Sequence, residues 1–353
     1  MKTYRSIGLM SGSSLDGLDI CFSEIFSEEN DKYRFNIIDA TTISYPQEIY
    51  EKLKNCRTFP SLELLALDNM LAHFFAIQIQ NFISTQSPKE IDFVVNHGHT
   101  VFHFPKDGIT HAICNHQKLA QLLKTKVLGN LRNKDVALGG QGAPIVPVAD
   151  KYLFPEHKYC LNLGGICNIS EKKNKEIVSF DIGVCNQALN YYAQLLGKEY
   201  DENGLLASKG SIYFPLFESL NQIDFYKDKG SKSIDNGMFL NIIKPLADQY
   251  PLSINDILAT MVEHIAFQIS LTLSNNSLDK VLATGGGAFN SFLMERIQSH
   301  TSCPIETPKP QIVNFKEALA MSFFGVRNLE KKVNVFASVT GATEDSVGGV
   351  WFE

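Results

Sequence analysis

The chain reads as an α/β protein of two domains, each a mixed sheet flanked by helices. Strand–glycine-turn–strand units occur twice, at "SIGLMSGSSLDGLDI" and "KYCLNLGGICNIS", roughly one domain length of ~150 residues apart. Segments of helical period follow each unit, an alternation that supports sheets with helices packed on them. The 353 residues are 44% hydrophobic, enough for a core in each domain.

Taken in order, Ser6 to Met10 and Leu18 to Phe26 are apolar runs, and the turn between them closes a β-hairpin. Leu67, Met70, Leu71 and Phe74 share one helical face, predicting an amphipathic helix up to Ile83. "IDFVVNHGHTVFHF" predicts a buried strand that runs into a turn at Gly98. "VALGGQGAPIVP" concentrates glycine and proline and predicts the interdomain crossing. The domains are therefore expected at 1–134 and 135–353, with the C-terminal segment packing back onto the first. "EIVSFDIGVCN" is a strand carrying Asp181 near its end. A helix follows, with Asn186 as its expected N-cap, Leu189, Tyr192, Ala193 and Leu196 on one face, and Gly197 as its stop. "TMVEHIAFQISLTL" is a further helix. "KVLATGGGAFNSFLMERI" reads as strand, three glycines and helix, with Phe289, Phe292, Leu293 and Ile297 inward. No charge run separates the halves, so a cleft between two packed domains is expected.

Composition narrows the function. A net charge of −6 argues against nucleic acid as a partner. No uncharged apolar run reaches the ~18 residues of a membrane span, so no membrane partner is expected. The N-terminus lacks the apolar region and cleavage site of a signal peptide. The seven cysteines, Cys21, Cys56, Cys114, Cys160, Cys167, Cys185 and Cys303, are odd in number and form no C-x-x-C pair. They predict free thiols in a reducing, cytoplasmic setting.

The glycine turns are the candidate anion sites. Glycine lets a ligand approach the main chain, and successive amides can point at one anion. In "SGSSLDG", Ser13 and Ser14 add hydroxyls, and Asp16 could reach a phosphate through Mg²⁺. An ordinary β-turn explains the same residues. Gly285, Gly286 and Gly287 would place free amides at a helix N-terminus. Gly164 and Gly165 form a third such turn. Asp181 is either a cleft-facing base or a cap for the following helix. His97, His99 and His103 would share one face of a continuous strand, as a metal site could use, but Gly98 suggests a turn and no H-E-x-x-H signature occurs, so hydrogen-bonding rings are expected instead. Lys232 reads as a solvated loop cation or as one reaching the cleft, and Arg132 is better placed to meet an anion.

Together "GLMSGSSLDGLD", "NHGHTVFH", "ALGGQGAPIVP", "NLGGICNIS", "FDIGVCN", "ATGGGAFN", "FKEALA" and "SVTGA" resemble the anhydro-N-acetylmuramic acid kinases over Ile7 to about Gly349. These belong to the actin/hexokinase-like superfamily of two-domain ATPases. The resemblance implies two RNase H-like, actin-like domains around a central cleft. It implies that 1,6-anhydro-N-acetylmuramic acid, ATP and water yield N-acetylmuramic acid 6-phosphate and ADP, in cell-wall recycling. Gly12, Ser13, Ser14, Leu15, Asp16, Gly17, Leu18 and Asp19 would then line the ATP phosphates, with Mg²⁺ held through Asp16. Gly164, Gly165 and Gly285 to Gly287 would bind phosphate or adenosine. Asp181 would be the base that activates water. His97, Gly98 and His99, with Arg132 and Asn186, would contact the sugar. Domain closure and a homodimer are also implied.

The chain departs from the family pattern mostly on the sugar side. His99 stands for glutamine, Asn130 and Asn115 for aspartates, and "KSIDNG" for K-S-T-G-R-E. On the nucleotide side, Ser13 stands for threonine and keeps the hydroxyl. A kinase of the same fold for another anhydro or amino sugar, and a nucleotide-binding homologue without turnover, are the other readings.

Overall fold

The computed structural model describes residues 1–12, 15–84, 90–174, 176–228, 232–234, 237–274 and 276–353. They form two units, Met1–Phe154 with Phe315–Glu353, and Pro155–Asn314. Among the described residues the strands are β1 (Lys2–Ser11), β2 (Leu18–Ser27), β3 (Tyr33–Ile43), β4 (Phe93–Phe104), β5 (Ile109–Ile113), β6 (Val127–Gly129), β7 (Tyr159–Leu163), β8 (Ile166–Lys173), β9 (Glu176–Val184), β10 (Val281–Thr284), β11 (Ile305–Glu306) and β12 (Val350–Phe352).

The first unit's sheet runs β12-β6-β4-β1-β2-β3, with β5 also paired to β4. Its β1–β2–β3 meander is antiparallel, and β4 and β6 join in parallel. The second unit repeats this plan as β9-β8-β7-β10-β11, an antiparallel meander extended by two parallel strands. Two mixed sheets of the same order bear out the duplicated, actin-like α/β class. Both glycine-turn hairpins form as expected.

In the first unit, Ile7, Leu9, Leu18, Ile20, Phe22 and Val94 meet Leu71, Phe75 and Ile79 of the Ser61–Ser84 helix. Each such burial contributes about 1.5–3 kcal/mol relative to exposure. The helix turns Leu67, Leu71, Phe75, Ile79 and Phe82 fully inward, while Met70 and Phe74 flank that stripe half-buried. This helix is long and apolar enough to cross a membrane by composition, and here it supplies core packing. The helix Pro310–Leu329 lies directly on strand backbone: a Cβ at Gly8 would sit 1.8 Å from the Ala318 carbonyl oxygen. In the second unit the Ile254–Ser270 helix buries Leu258, Met261, Val262, Ile265 and Ile269 in one core with Tyr159, Leu161 and Leu163 of β7.

Several local expectations are corrected. β4 does not turn at Gly98 but continues through it, with φ +73° there. Pairing with β1 steps from Leu9–Asn96 to Ser11–His99, so β4 spends three residues where β1 spends two. That is a β-bulge, and it gives His97 and His99 different surroundings. The stretch "VALGGQGAPIVP" is not the crossing. It lies inside the first unit, and the chain enters the second after Phe154. Its glycines instead wrap Asp135, whose carboxylate accepts from the Gly142 amide and the Thr340 hydroxyl, both at 2.7 Å. Asn186 is the first residue of its helix, with Cys185 as N-cap. Gly286 opens a 3₁₀ turn, Gly286–Phe289, and the α-helix begins only at Ser291, capped by the Asn290 side chain. Phe289 and Leu196 point outward, 43% and 42% exposed. None of the seven cysteines is in a disulfide, and all are buried.

Candidate active site

In the first unit the β1–β2 turn carries the predicted phosphate loop. Leu15 takes φ +63° and its amide donates to the Gly12 carbonyl at 3.3 Å. Gly17 has φ +151°, and a Cβ there would lie 2.7 Å from the Ile43 carbonyl oxygen, so only glycine fits. Ser13 and Ser14 lie outside the described residues. Asp16 is exposed and Leu18 is buried. Asp19 accepts a 2.6 Å hydrogen bond from Thr42 Oγ1. Burial pushes its carboxyl up to about 6; the Thr42 bond opposes this, and Glu317 and Asp16 add to it.

A carboxyl raised on folding costs stability as it ionises. The folded protein holds its Asp19 proton longer than the unfolded chain, so this contribution falls as pH rises from about 4 to about 6. Asp19→Asn keeps an acceptor for Thr42 and removes the penalty. Its thermal midpoint, relative to the parent, is expected to rise between pH 4 and pH 7.5. A difference that stays constant with pH would refute the assignment.

Past the bulge, Tyr45 OH donates to Ser11 Oγ at 2.7 Å, and Ser11 Oγ lies 2.9 Å from His99 Nδ1. Ser11 Oγ, with two lone pairs and one proton, can either donate to Nδ1 or accept from it. Burial lowers the His99 pKa to about 4. His97 Nδ1 lies 2.9 Å from the Gly98 carbonyl, while its Nε2 receives Arg132 Nε at 3.1 Å and an Arg132 terminal nitrogen at 2.8 Å. The other terminal nitrogen of Arg132 donates to the Gly142 carbonyl at 2.7 Å. Burial brings Arg132 down to about 10, against the pull of Glu317 and Asp135, so it stays charged at neutral pH. His97 is thus bonded at both ring nitrogens and His99 at Nδ1, while His103 Nδ1 meets Thr110 Oγ1 at 3.1 Å. Among the described residues no cluster of three His, Cys, Asp or Glu could hold a metal.

In the second unit three predicted elements converge. The amides of Cys185, Asn186 and Gln187 donate to the carbonyls of Gly164 and Gly165, tying the helix start to the β7–β8 turn. Asn186 Nδ2 donates to the Leu163 carbonyl at 2.8 Å. Gly285, with φ +81°, and Gly287 press on that same turn; their Cβ atoms would lie 2.6 Å from Asn162 Oδ1 and 2.8 Å from Leu163 Cβ. Gly286 is exposed and touches nothing so closely. Beside them opens a cavity of about 410 Å³ whose wall includes Asn186, Asn190, Gly286, Gly287, Phe289 and Asn314. Asn186 therefore belongs with the Gly286–Gly287 wall.

Asp181 sits half-buried on β9, beside a one-residue bulge. Its Oδ2 accepts from the Ile234 amide at 2.9 Å and from Ser233 Oγ at 3.3 Å, while Oδ1 has no hydrogen-bond partner among the described residues. Burial raises its pKa, opposed by those two bonds. The capping alternative fails: the following helix starts at Asn186 with no side-chain cap. Lys232 Nζ is held by the carbonyls of Phe225 and Asp228, over the Phe225 ring.

Sequence reasoning placed no role on Glu317, although the quoted "FKEALA" contains it. Burial raises its carboxyl, with Lys316 and Arg132 pulling down. The cavity asparagines Asn190 and Asn314 were also missed, because surface asparagines carry no pattern. Two departures from the family pattern have local explanations. Asn115 caps the His116–Leu123 helix, accepting from the Lys118 amide at 3.0 Å, and Asn130 takes φ +52°, a conformation asparagine tolerates.

The duplicated mixed-sheet fold carries glycine turns at strand ends in both units and the Asp181 carboxylate on β9, and a family match makes it the frame of a phosphotransferase acting on an alcohol group. A family model described as anhydro-N-acetylmuramic acid kinase matches residues 4–353. The chain belongs to that family. It is 31% identical to the anhydro-N-acetylmuramic acid kinase of Picosynechococcus sp. over 371 aligned positions, covering 96% of each chain. The Zymomonas mobilis enzyme of the same name is 30% identical, with 98% of each chain covered. Among solved structures, component A of (R)-2-hydroxyglutaryl-CoA dehydratase from Acidaminococcus fermentans aligns at 12% identity with a TM-score of 0.48, over 91% of this chain and 97% of that one.

Proposed function

We propose that the chain uses ATP and water to convert 1,6-anhydro-N-acetylmuramic acid to N-acetylmuramic acid 6-phosphate and ADP. The observation that carries the reading is Asp181: Oδ2 is fixed by the Ile234 amide and Oδ1 is left to take a proton. In this reading Oδ1 receives a proton from water as that water attacks the anomeric carbon. The C1–O6 bond breaks on the opposite face, and O6 leaves onto the γ-phosphoryl group, releasing ADP. The attack follows the logic of an inverting glycosidase, with phosphoryl transfer capturing the leaving oxygen.

The turn from Gly12 to Asp19 would hold phosphates, and the cavity beside Gly286 and Gly287 would take the nucleoside. A divalent cation carried on ATP phosphates needs only one or two carboxylates. Asp16 and Asp19 supply hard oxygen donors of that kind, and the cation would neutralise charge developing on the phosphates. Arg132, whose side chain remains charged, fits the sugar's carboxylate.

The test is incubation with ATP, Mg²⁺ and the anhydro sugar in ¹⁸O-labelled water. ADP and a 6-phosphosugar labelled at C1 are expected. Label in the phosphate instead, or ATP consumption independent of sugar, would reject the mechanism.

A further inference from the structure

We propose that His97 is a positioning residue: a neutral imidazole whose Nε2 lone pair fixes the Arg132 guanidinium in one orientation for an anionic group of the sugar substrate. The hydrogen-bond geometry determines the tautomer. The Gly98 carbonyl, 2.9 Å from Nδ1, can only accept, so Nδ1 carries the proton. Arg132 Nε and a terminal nitrogen, at 3.1 and 2.8 Å, can only donate, so Nε2 is bare. An imidazolium would set a proton against a guanidinium at this distance.

The ring is 5% exposed, and both its nitrogens are taken. It has nothing left to offer a sugar directly. The charged or titratable groups that act on it are Arg132, His99 and His116.

The guanidinium is fixed from its other side as well. Its remaining terminal nitrogen donates to the Gly142 carbonyl at 2.7 Å. The Gly142 amide in turn donates to Asp135 Oδ2, and Thr340 Oγ1 donates to Asp135 Oδ1. Gly142 holds φ +68° in this arrangement. Three of the five guanidinium N–H bonds are thereby used. The other two have no partner among the described residues, and the side chain is only half-buried. A carboxylate is the planar two-oxygen partner that such a pair of donors fits.

The role of Arg132 toward substrate rests on the proposed function; the tautomer of His97 does not. Two variants and one spectrum test the proposal. His97→Phe keeps a ring and removes the acceptor. It is expected to raise KM for the sugar by about tenfold or more, the scale of a lost hydrogen bond to a charged group. KM for ATP and kcat should stay within roughly twofold, because binding lost equally from ground and transition states moves KM alone. In His97→Gln, Oε1 can take the place of Nε2, and the sugar KM should return to within about threefold of the parent.

Long-range ¹H–¹⁵N spectra of the labelled parent protein should show His97 as the Nδ1–H tautomer, unchanged from pH 5 to pH 8. An Nε2–H tautomer, titration within that range, or an unchanged sugar KM in His97→Phe would overturn the proposal. If His97→Phe fails to fold, the spectrum and the His97→Gln kinetics decide it. If the parent turns over no sugar, the proposed function falls while the tautomer remains open to the same spectral refutation.

Discussion

Asp181→Asn is expected to lower kcat by about 10²–10⁴, the usual contribution of a positioned general base. The substitution replaces the oxygen proposed to take the proton and little else. Asparagine can still accept from the Ile234 amide through its carbonyl oxygen, so the 232–234 segment stays tied to β9. Its other branch becomes an NH₂ group, which cannot take a proton from water. KM for ATP should hardly move, since the wall of the cavity proposed for the nucleoside does not include residue 181.

The pH profile gives a second, independent reading. A base works only when deprotonated, so activity falls as pH drops through its folded pKa. Burial raises the Asp181 carboxyl. The acid limb of the parent's kcat profile should therefore lie above the ordinary aspartate value of about 3.9. The residual activity of Asp181→Asn should lack that limb. A variant with parental kcat, or one that keeps the same limb, would remove Asp181 from the chemistry.

Gly8→Ala is expected to have the largest effect on stability. The added methyl would be 1.8 Å from the Ala318 carbonyl oxygen and 2.9 Å from the Ser322 amide nitrogen, both backbone atoms. No side chain can rotate away. Nor can the strand shift easily, because Gly8 pairs with Cys21 of β2 on one side and Val95 of β4 on the other. The cost should reach about 3 kcal/mol, the upper range for overpacking a filled core. For a unit of this size that lowers the thermal midpoint by about 6–12 °C. Gly286→Ala is the matched control: its nearest new neighbour, Asn186 Nδ2, would be 3.8 Å away, an ordinary contact. Equal midpoints for the two variants would mean that the helix does not sit on β1 as described.

Local pattern carried much of this molecule. Both hairpins were legible because an apolar run, a glycine turn and a second apolar run have few other ways to bury themselves. The Asp181 strand and its helix were legible for the same reason. Gly98 was misread because a turn and a bulge ask the same thing of a backbone, a positive φ, and only the neighbouring strand decides between them. "VALGGQGAPIVP" was misread as a boundary because glycine and proline mark tight loops of any purpose. Here the purpose is to enclose the Asp135 carboxylate, and its partner Thr340 is remote in sequence. The redirection of His97 and Asn186 could not have been read earlier either. Residue type says that a ring or an amide will bond; which group it meets depends on Arg132 and Leu163, brought in by other elements.

The buried thiols give the protein a built-in chemical clock. Cys21, Cys56 and Cys114 belong to the first unit, and Cys160, Cys167, Cys185 and Cys303 to the second. An alkylating reagent reaches each only when the surrounding structure opens. Peptide mapping of the modified sites would then time the opening of each half separately, with no mutation or label introduced.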